Sequence, residues 1–170
     1  MERLWSPWRS QYIESFKDKK QDETCIFCDA VNEKIEDEKS LKVYNADVCF
    51  VMLNLYPYNS GHLMVIPNRH LSSFDDLTEE EMNRIMQVTK LSMKALDLVM
   101  KPHGFNFGAN LGKAAGAGID EHIHFHIVPR WNGDTNFFPV LGDVKVISQD
   151  LLQTKSNLIE AYSKLTTNSK

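Results

Sequence analysis

Apolar and polar positions alternate strictly along residues 121–131, "EHIHFHIVPRW", and this period of two is typical of a β-strand. Isoleucine, phenylalanine and isoleucine alternate there with three histidines, His122, His124 and His126. Because successive strand residues point to opposite faces, we expect the apolar set to pack on a core and the imidazoles to share the other face. A row of three imidazoles indicates a site that binds a ligand or performs chemistry.

The hydrophobic pattern predicts further strands and helices along the chain. Two strands flank the turn Asn45-Ala46-Asp47, and "HLMVIP" forms another strand that ends at Pro67. The strongest helical pattern is "FDDLTEEEMNRIMQVTKLSMKALDLVM", where Thr78 and Glu81 form a capping box. The predicted buried side of this helix comprises Met82, Ile85, Met86, Leu91, Ala95 and Val99. Strands joined by hairpins, with one long helix and a C-terminal helix from about residue 148, predict an α+β fold with an antiparallel sheet.

Length and charge narrow the class of protein. The 170 residues predict a single domain, 1–170, with an aromatic N-terminal segment over about residues 1–20 and a C-terminal helical extension over about 148–170. A net charge of −4 with both signs mixed argues against nucleic acid or a membrane surface as a partner. The chain has no apolar run near the roughly 20 residues that span a bilayer. Without an apolar signal segment at the N-terminus, we expect a soluble, cytoplasmic protein.

Strand geometry predicts that the three histidines divide their roles. Neighbours on one face of a strand lie roughly 6.6–6.8 Å apart, so three of them can hardly converge on one metal ion. Cys25-x-x-Cys28 offers two zinc ligands at the usual spacing, and two histidines at strand ends would complete a tetrahedral structural site. The predicted ligand set is Cys25, Cys28, His70 and His122. The alternatives are two unlinked thiols and a redox pair, the latter less favoured because the sequence lacks a thioredoxin-like βαβ pattern.

His124 and His126 then face the glycine-rich segment "NLGKAAGAG", whose small residues allow backbone amides to approach an anion. The segment is not a Walker A loop, because Ala114 stands where that motif requires serine or threonine. A neutral imidazole beside a phosphate cradle predicts nucleophilic catalysis at phosphorus. Two alternatives are a histidine pair that binds a metal and activates water, and histidines that merely belong to the core.

The histidine segment resembles the signature His-φ-His-φ-His-φ-φ of the histidine triad (HIT) family of nucleotidyl hydrolases and transferases. The resemblance runs from about Cys25 to Val146 and includes "LNLYPYNSGHLMVIP" and "HGFNFGANLG". With "PRWNGDTNF", the chain is most similar to the bacterial branch that contains diadenosine-tetraphosphate phosphorylases. The resemblance implies a HIT-like α+β fold, a homodimer and a purine-nucleotide pocket.

The resemblance also implies a role for particular residues. His124 becomes the nucleophile, His126 holds oxygens of the α-phosphate, and Asn110 lies near the scissile bridge. The implied substrate contacts are Asn54 on the ribose, Ile26, Phe27, Met52 and Leu55 around the base, backbone amides at Ala117 and Gly118 on phosphate, and Trp131 near a second subunit's site. The Cys25, Cys28, His70 and His122 set matches the zinc ligands of some members, and no organic cofactor is implied. Gly118-Ile119 departs from the serine that many relatives carry.

The leading hypothesis is therefore an enzyme that cleaves a dinucleoside polyphosphate through a covalent His124–nucleotidyl intermediate. The branch resemblance favours phosphorolysis, in which inorganic phosphate converts diadenosine tetraphosphate to ATP and ADP. One alternative is a hydrolase of purine nucleoside phosphoramidates or AMP-lysine. The other is a nucleotide-binding protein without catalysis.

Overall fold

The computed structural model describes residues 25–134 and 150–167. Within them the regular elements follow in the order α1 Ile26–Asn32, β1 Lys42–Asn45, β2 Cys49–Leu53, β3 Leu63–Pro67, α2 Glu79–Met100, β4 Gly104–Gly108, β5 Phe125–Arg130 and α3 Leu151–Thr167. Two single-turn 3-10 helices lie at Phe74–Asp76 and Lys113–Ala115. The predicted N-terminal aromatic segment and the first residues of the predicted C-terminal extension lie outside the described residues.

The five strands form one sheet in the order β1-β2-β3-β5-β4, and every neighbouring pair is antiparallel. This arrangement confirms the predicted α+β class with an antiparallel sheet. His126 pairs with Met64 of β3 on one side and with Gly108 of β4 on the other. The last histidine of the row therefore lies within the sheet, between two neighbouring strands.

The two faces of the sheet carry different packing. On one face, odd-numbered strand residues such as Val51, Val65 and Ile127 join the main core together with apolar side chains of α2 and α3. On the other face, Phe50, Met64 and Ile66 form a smaller core with residues of α1. The three histidines have the parity of this second face. They are 0–7% exposed, so the face predicted to present them is itself covered.

The prediction that the whole histidine segment is a strand is wrong at its start, because β5 begins at Phe125. His122 and His124 precede the strand. On the neighbouring strand β3, Pro67 lies near the position opposite these residues. Pro67 has no N–H to continue the ladder. Its carbonyl instead accepts a hydrogen bond from His122 Nε2, at 3.0 Å. The backbone there pairs with the chain after β3, since Ile123 N donates to Leu71 O at 2.7 Å.

Helix α2 confirms the predicted capping box between Thr78 and Glu81. One predicted core position is wrong: Met86 is 53% exposed. The buried stripe runs through Ile85, Val88, Ser92 and Ala95 at intervals of three and four residues, and Met86 lies beside it. Met86 therefore belongs to the surface of the helix that borders β4.

Helix α1 directly follows Cys25 and was not predicted. Seven residues are too few for a helix that is stable by itself, so its packing must hold it. Phe27 and Ala30 are buried in the smaller core. Its C-terminal end is held by Lys42 of β1, whose ammonium donates to Val31 O at 2.9 Å and Glu33 O at 3.0 Å. Among the described residues, no helix is long and apolar enough to cross a membrane.

Candidate catalytic and metal-binding site

The histidine row lies between the sheet and α1. The ring centroids of His124 and His126 are 4.8 Å apart at nearly right angles. The ring of Phe27 lies 5.0 Å from that of His124 and 5.5 Å from that of His122. Phe27 is only 1% exposed, so in this structure its ring packs against the histidines.

Burial keeps the histidines of this cluster neutral at pH 7. Burial, together with the neighbouring histidines, lowers the pKa of His62 to about 3. Burial and His124 lower the pKa of His126 to about 4. Burial is also the main cause that lowers the pKa values of His122 and His124. A neutral imidazole carries one proton, so the partner of one ring nitrogen decides what the other can do.

His124 presents a lone pair at Nε2. Its Nδ1 lies 2.9 Å from the carbonyl oxygen of His122, and a carbonyl only accepts hydrogen bonds. Nδ1 must therefore carry the proton, which leaves Nε2 unprotonated. This is the tautomer that a nucleophile requires.

His126 presents the opposite chemistry because of a fourth histidine, His62. The backbone N–H of Tyr58 donates to His62 Nδ1 at 3.0 Å, so His62 carries its proton on Nε2. His62 Nε2 lies 2.9 Å from His126 Nδ1 and donates to it. The proton of His126 is then on Nε2, a buried atom without a hydrogen-bond partner in the described part of the chain. That N–H is suited to donate to an anionic oxygen.

His62 was missed by the sequence reasoning. A usable signal was its even-numbered position two residues before Met64, because residues 62, 64 and 66 share the face of the histidine row. Asn54, predicted to contact ribose, lies beside the same ring, with Nδ2 3.3 Å from His62 Nδ1. Its Oδ1 accepts from the backbone N–H of Tyr56 at 2.9 Å.

Tyr58 was also missed. Its ring centroid lies 4.6 Å from that of His62 and 5.5 Å from that of His126, so it covers this histidine pair. Asn110 Nδ2 donates to the Tyr58 hydroxyl at 3.2 Å, which brings the predicted bridge-contacting residue to the histidines. In the glycine-rich segment, the Ala117 amide donates to Gly112 O at 3.3 Å, while Gly118 is exposed.

The remaining predicted substrate contacts lie in different places. Ile26 and Leu55 are 43% and 54% exposed, and Met52 is half-buried on β2. Ile26 and Leu55 are therefore at the surface, and Met52 packs against the smaller core that also contains Phe27. Trp131 instead borders a surface cavity of about 380 Å³ with Asn59 and Asn157, and within this chain that cavity adjoins α3.

The four predicted metal ligands come together at the start of the histidine row. The candidate ligand atoms of Cys25, Cys28, His70 and His122 all lie within 4.8 Å of one another. Cys25 Sγ is 3.2 Å from His122 Nδ1, and Cys28 Sγ is 3.3 Å from His70 Nδ1. Because His122 Nε2 donates to Pro67 O, its Nδ1 carries the lone pair that a metal needs. Two thiols and two imidazoles within this space fit tetrahedral Zn²⁺.

Fold and site together define an α+β protein with a histidine centre suited to nucleophilic chemistry. The HIT domain model matches residues 36–133. The chain is 39% identical over 169 residues to "AP-4-A phosphorylase" of Mycobacterium tuberculosis, covering 96% of this chain and 86% of that protein. It is 31% identical over 109 residues to "Adenosine 5'-monophosphoramidase HNT1" of Saccharomyces cerevisiae, covering 64% of each. The chain belongs to the HIT family, and the prediction of a HIT-family enzyme is confirmed.

The structural comparison agrees with this assignment. A crystal structure of a Zn-bound histidine triad family protein from Mycobacterium smegmatis matches with a TM-score of 0.69 at 27% identity. The match covers 85% of this chain and 97% of that one. The four clustered cysteine and histidine side chains support the expectation of a metal site.

Proposed function

We propose that the protein transfers a nucleotidyl group from a dinucleoside polyphosphate, with diadenosine tetraphosphate as the model substrate, to inorganic phosphate. The observation that carries the proposal is the pair of opposite tautomers at His124 and His126. One ring offers a lone pair and the other an N–H donor, with the two centroids 4.8 Å apart. A phosphoryl group in transfer needs both, since it has an electrophilic phosphorus and anionic oxygens.

In the proposed reaction, His124 Nε2 forms a bond to the α-phosphorus, and the bond from that phosphorus to the bridging oxygen breaks. With diadenosine tetraphosphate the leaving group is ATP, and AMP remains on His124. His126 Nε2–H donates to a non-bridging oxygen of the α-phosphate. The His122 carbonyl accepts a hydrogen bond from His124 Nδ1. It thereby stabilises the positive charge that the His124 ring acquires when Nε2 is bonded to phosphorus. Phosphate then attacks the same phosphorus, releases ADP and restores the free imidazole.

The relative named "AP-4-A phosphorylase" supports phosphate as the acceptor, because the identity of 39% extends over nearly the whole chain. The phosphoramidase relative favours a second candidate, hydrolysis of a P–N bond in an adenosine phosphoramidate. The same His124 would attack the α-phosphorus there, but an amine would leave and water would resolve the intermediate. The two candidates therefore differ in leaving group and acceptor and share the nucleophile.

The test is to incubate the purified protein with diadenosine tetraphosphate, with and without inorganic phosphate, and to resolve the products by anion-exchange chromatography. We expect ATP and ADP in equal amounts, and only when phosphate is present. AMP with ATP in the absence of phosphate would mean that water is the acceptor and would reject phosphorolysis. Turnover of adenosine phosphoramidate alone would favour the second candidate.

We further propose that Cys25, Cys28, His70 and His122 hold a structural Zn²⁺ that fastens α1 to the sheet. Burial and the neighbouring Cys25 raise the pKa of Cys28, so zinc would have to displace its proton. Elemental analysis of protein purified without chelator should find about one zinc per chain, and Cys28→Ser should lose it. Zinc-free wild-type protein after purification in zinc-supplemented buffer would reject the site.

A homodimer through the β4 edge is the third part of the proposal. Within the described residues, β4 lies at the edge of the sheet. Next to it a groove of about 540 Å³ is bordered by apolar side chains of α2 and β4, including Met86, Met93, Leu98, Phe105 and Phe107. A second copy pairing at this edge would cover Phe107, which is 40% exposed, and Leu98, which is 55% exposed. Light scattering should give twice the mass of the chain, and Phe107→Glu should give the monomer. A monomeric wild-type protein would exclude this interface.

A further inference from the structure

One peptide group lies between the metal-binding cluster and the candidate nucleophile. It joins His122 to Ile123. Its carbonyl oxygen accepts a hydrogen bond from His124 Nδ1 at 2.9 Å. Its N–H belongs to Ile123 and donates to Leu71 O at 2.7 Å. The orientation of this single amide plane therefore fixes where the acceptor for His124 lies.

The C=O and the N–H of this peptide are each connected to a candidate metal ligand. His122 is itself the residue whose carbonyl holds His124. Leu71, which holds the N–H end, directly follows His70. The ring centroids of His70 and His122 are 5.1 Å apart, so one ion bound between them would join the two chain segments that grip the peptide. The His122 ring is also held from its other side, by the hydrogen bond from Nε2 to Pro67 O.

We propose that His70 and His122 are positioning residues for His124. With zinc bound, their segments hold the 122–123 peptide in the one orientation that keeps the His124 proton on Nδ1 and its lone pair on Nε2. The inference rests on the proposed zinc site and on the proposed nucleophile. It adds that the zinc site is coupled to catalysis as well as to the stability of α1.

The 122–123 peptide already has a backbone hydrogen bond, from Ile123 N to Leu71 O. The zinc ligands would add a constraint on the His122 ring that this bond does not supply. The Leu71 hydrogen bond holds the N–H end of the amide, and the hydrogen bond to Pro67 O holds the His122 ring at Nε2. The Nδ1 atom of His122 lies 3.2 Å from Cys25 Sγ and 3.7 Å from Cys28 Sγ, and thiols form weak hydrogen bonds. Four coordination bonds would replace those contacts with fixed directions. The hydrogen-bond partner of one ring nitrogen decides the tautomer of a histidine.

The variant for the test is Cys28→Ser, which removes a proposed zinc ligand whose sulfur lies against His70 and His122. The matched control is Lys34→Gln, an exposed residue in the segment after α1. Each protein, labelled with ¹⁵N-histidine, is measured for zinc content, for the ring-nitrogen tautomers by long-range ¹H–¹⁵N NMR, and for turnover of diadenosine tetraphosphate with phosphate. The chain has 6 histidines, so the His124 signals are assigned from their loss in His124→Asn.

Wild type and Lys34→Gln should contain zinc and show His124 as a single Nδ1–H tautomer. Cys28→Ser should lose zinc, show a mixture of tautomers at His124, and lower kcat about tenfold to a hundredfold while KM changes by less than about threefold. Wild type stripped by a chelator should reproduce the same spectrum, which covers the case in which the variant fails to fold.

The inference is overturned if Cys28→Ser or stripped wild type lacks zinc, stays folded, and keeps the single Nδ1–H tautomer with kcat within about twofold of the loaded protein. That result would leave the zinc site itself intact. Wild type that never binds zinc would overturn the zinc proposal together with this inference. Lost turnover with an unchanged His124 spectrum would assign the defect to the general fold and overturn the positioning role.

Discussion

The two ends of the histidine row use the same side chain for different purposes. At the first end, His122 donates a hydrogen bond from Nε2 to Pro67 O and directs the Nδ1 lone pair toward two thiols. At the second end, His126 accepts at Nδ1 from His62 and turns an Nε2–H into the site. His124, between them, keeps its proton on Nδ1 and offers the lone pair at Nε2. The partner of the other ring nitrogen, more than the residue type, sets each role.

The same comparison extends to what surrounds the two ends. The metal end is built from a seven-residue helix, which is held by side-chain contacts, and from the chain after β3, where Leu71 O accepts a backbone hydrogen bond from Ile123. The catalytic end lies in and beside the sheet, where β3 and β4 flank His126 through backbone pairing. Changes at the catalytic end should therefore alter turnover with little loss of fold. Changes at the metal end should alter stability and zinc affinity first.

The largest effect is expected from His124→Asn. The amide cannot form the covalent intermediate, so turnover of diadenosine tetraphosphate should fall by about 10³-fold or more. AMP affinity, measured by isothermal calorimetry, should stay within about threefold because the surrounding site is unchanged. Loss of AMP binding in a folded variant would contradict the assignment of His124 as nucleophile.

Two variants of His62 should distinguish its role as a hydrogen-bond donor to His126 from a role in filling space. His62→Leu removes the donor to His126 Nδ1, so His126 can take the wrong tautomer, and kcat should fall about tenfold to a hundredfold. His62→Gln is the matched control, since its amide N–H can still donate, and it should recover part of the lost kcat. Equal losses in the two variants, with equal melting temperatures, would argue against the tautomer role.

At the metal end, Lys42→Met should act on stability and zinc affinity together. The Lys42 ammonium is buried, lies 5.0 Å from the Phe50 ring centroid, and burial lowers its pKa. Methionine fills similar space but leaves Val31 O and Glu33 O without their donor, which should cost about 1–3 kcal/mol in the free energy of unfolding. A chelator competition should show weaker zinc binding by about tenfold.

Lys39→Met is the control for Lys42→Met, because Lys39 is an exposed lysine of the same segment. Its unfolding free energy should stay within about 0.5 kcal/mol of wild type. Zinc affinity that is unchanged in Lys42→Met, despite a lower unfolding free energy, would show that the lysine supports the core and leaves the metal site unaffected.

The smallest effect concerns Glu81, which holds the residue before His70. Arg69 donates two hydrogen bonds to its carboxylate, at 3.0 Å and 2.8 Å. The Arg69 guanidinium is the largest cause that lowers the pKa of Glu81 from 4.5 to about 2. A lowered carboxyl pKa stabilises the fold above pH 4.5, and this contribution is lost as pH falls from 4.5 toward 2.

Glu81→Gln should therefore lower the unfolding free energy by about 1–2 kcal/mol at pH 7, a modest value because Arg69 is half-exposed. In urea titrations, the difference between variant and wild type should shrink from pH 7 to about pH 3. A difference that stays constant over this range would mean that the charge of Glu81 is not its cause.

Several features were accessible from the sequence because they depend on neighbouring residues. The capping box of Thr78 and Glu81 is a local arrangement of four residues, and it was predicted correctly. The period of two placed Ile123 and Ile127 in the main core. The spacing of Cys25 and Cys28 predicted a metal cluster that two histidines at strand ends, His70 and His122, would complete, and the four ligand atoms do lie together. The capping box, the strand period and the cysteine spacing are each visible within a short stretch of sequence.

Other features followed only from contacts between distant segments. His62 and His126 are 64 positions apart, and their hydrogen bond depends on the pairing of β3 with β5. The early end of the strand ladder at Phe125 depends on the nearby Pro67, which has no N–H, and α1 depends on the burial of its own Phe27 in the smaller core and on Lys42 from β1. The sequence alone thus predicted most residues of the candidate site, including the histidine row and the cysteine pair. The tertiary structure decided which ring nitrogen carries each proton, because a neutral imidazole takes its tautomer from whatever the fold places beside it.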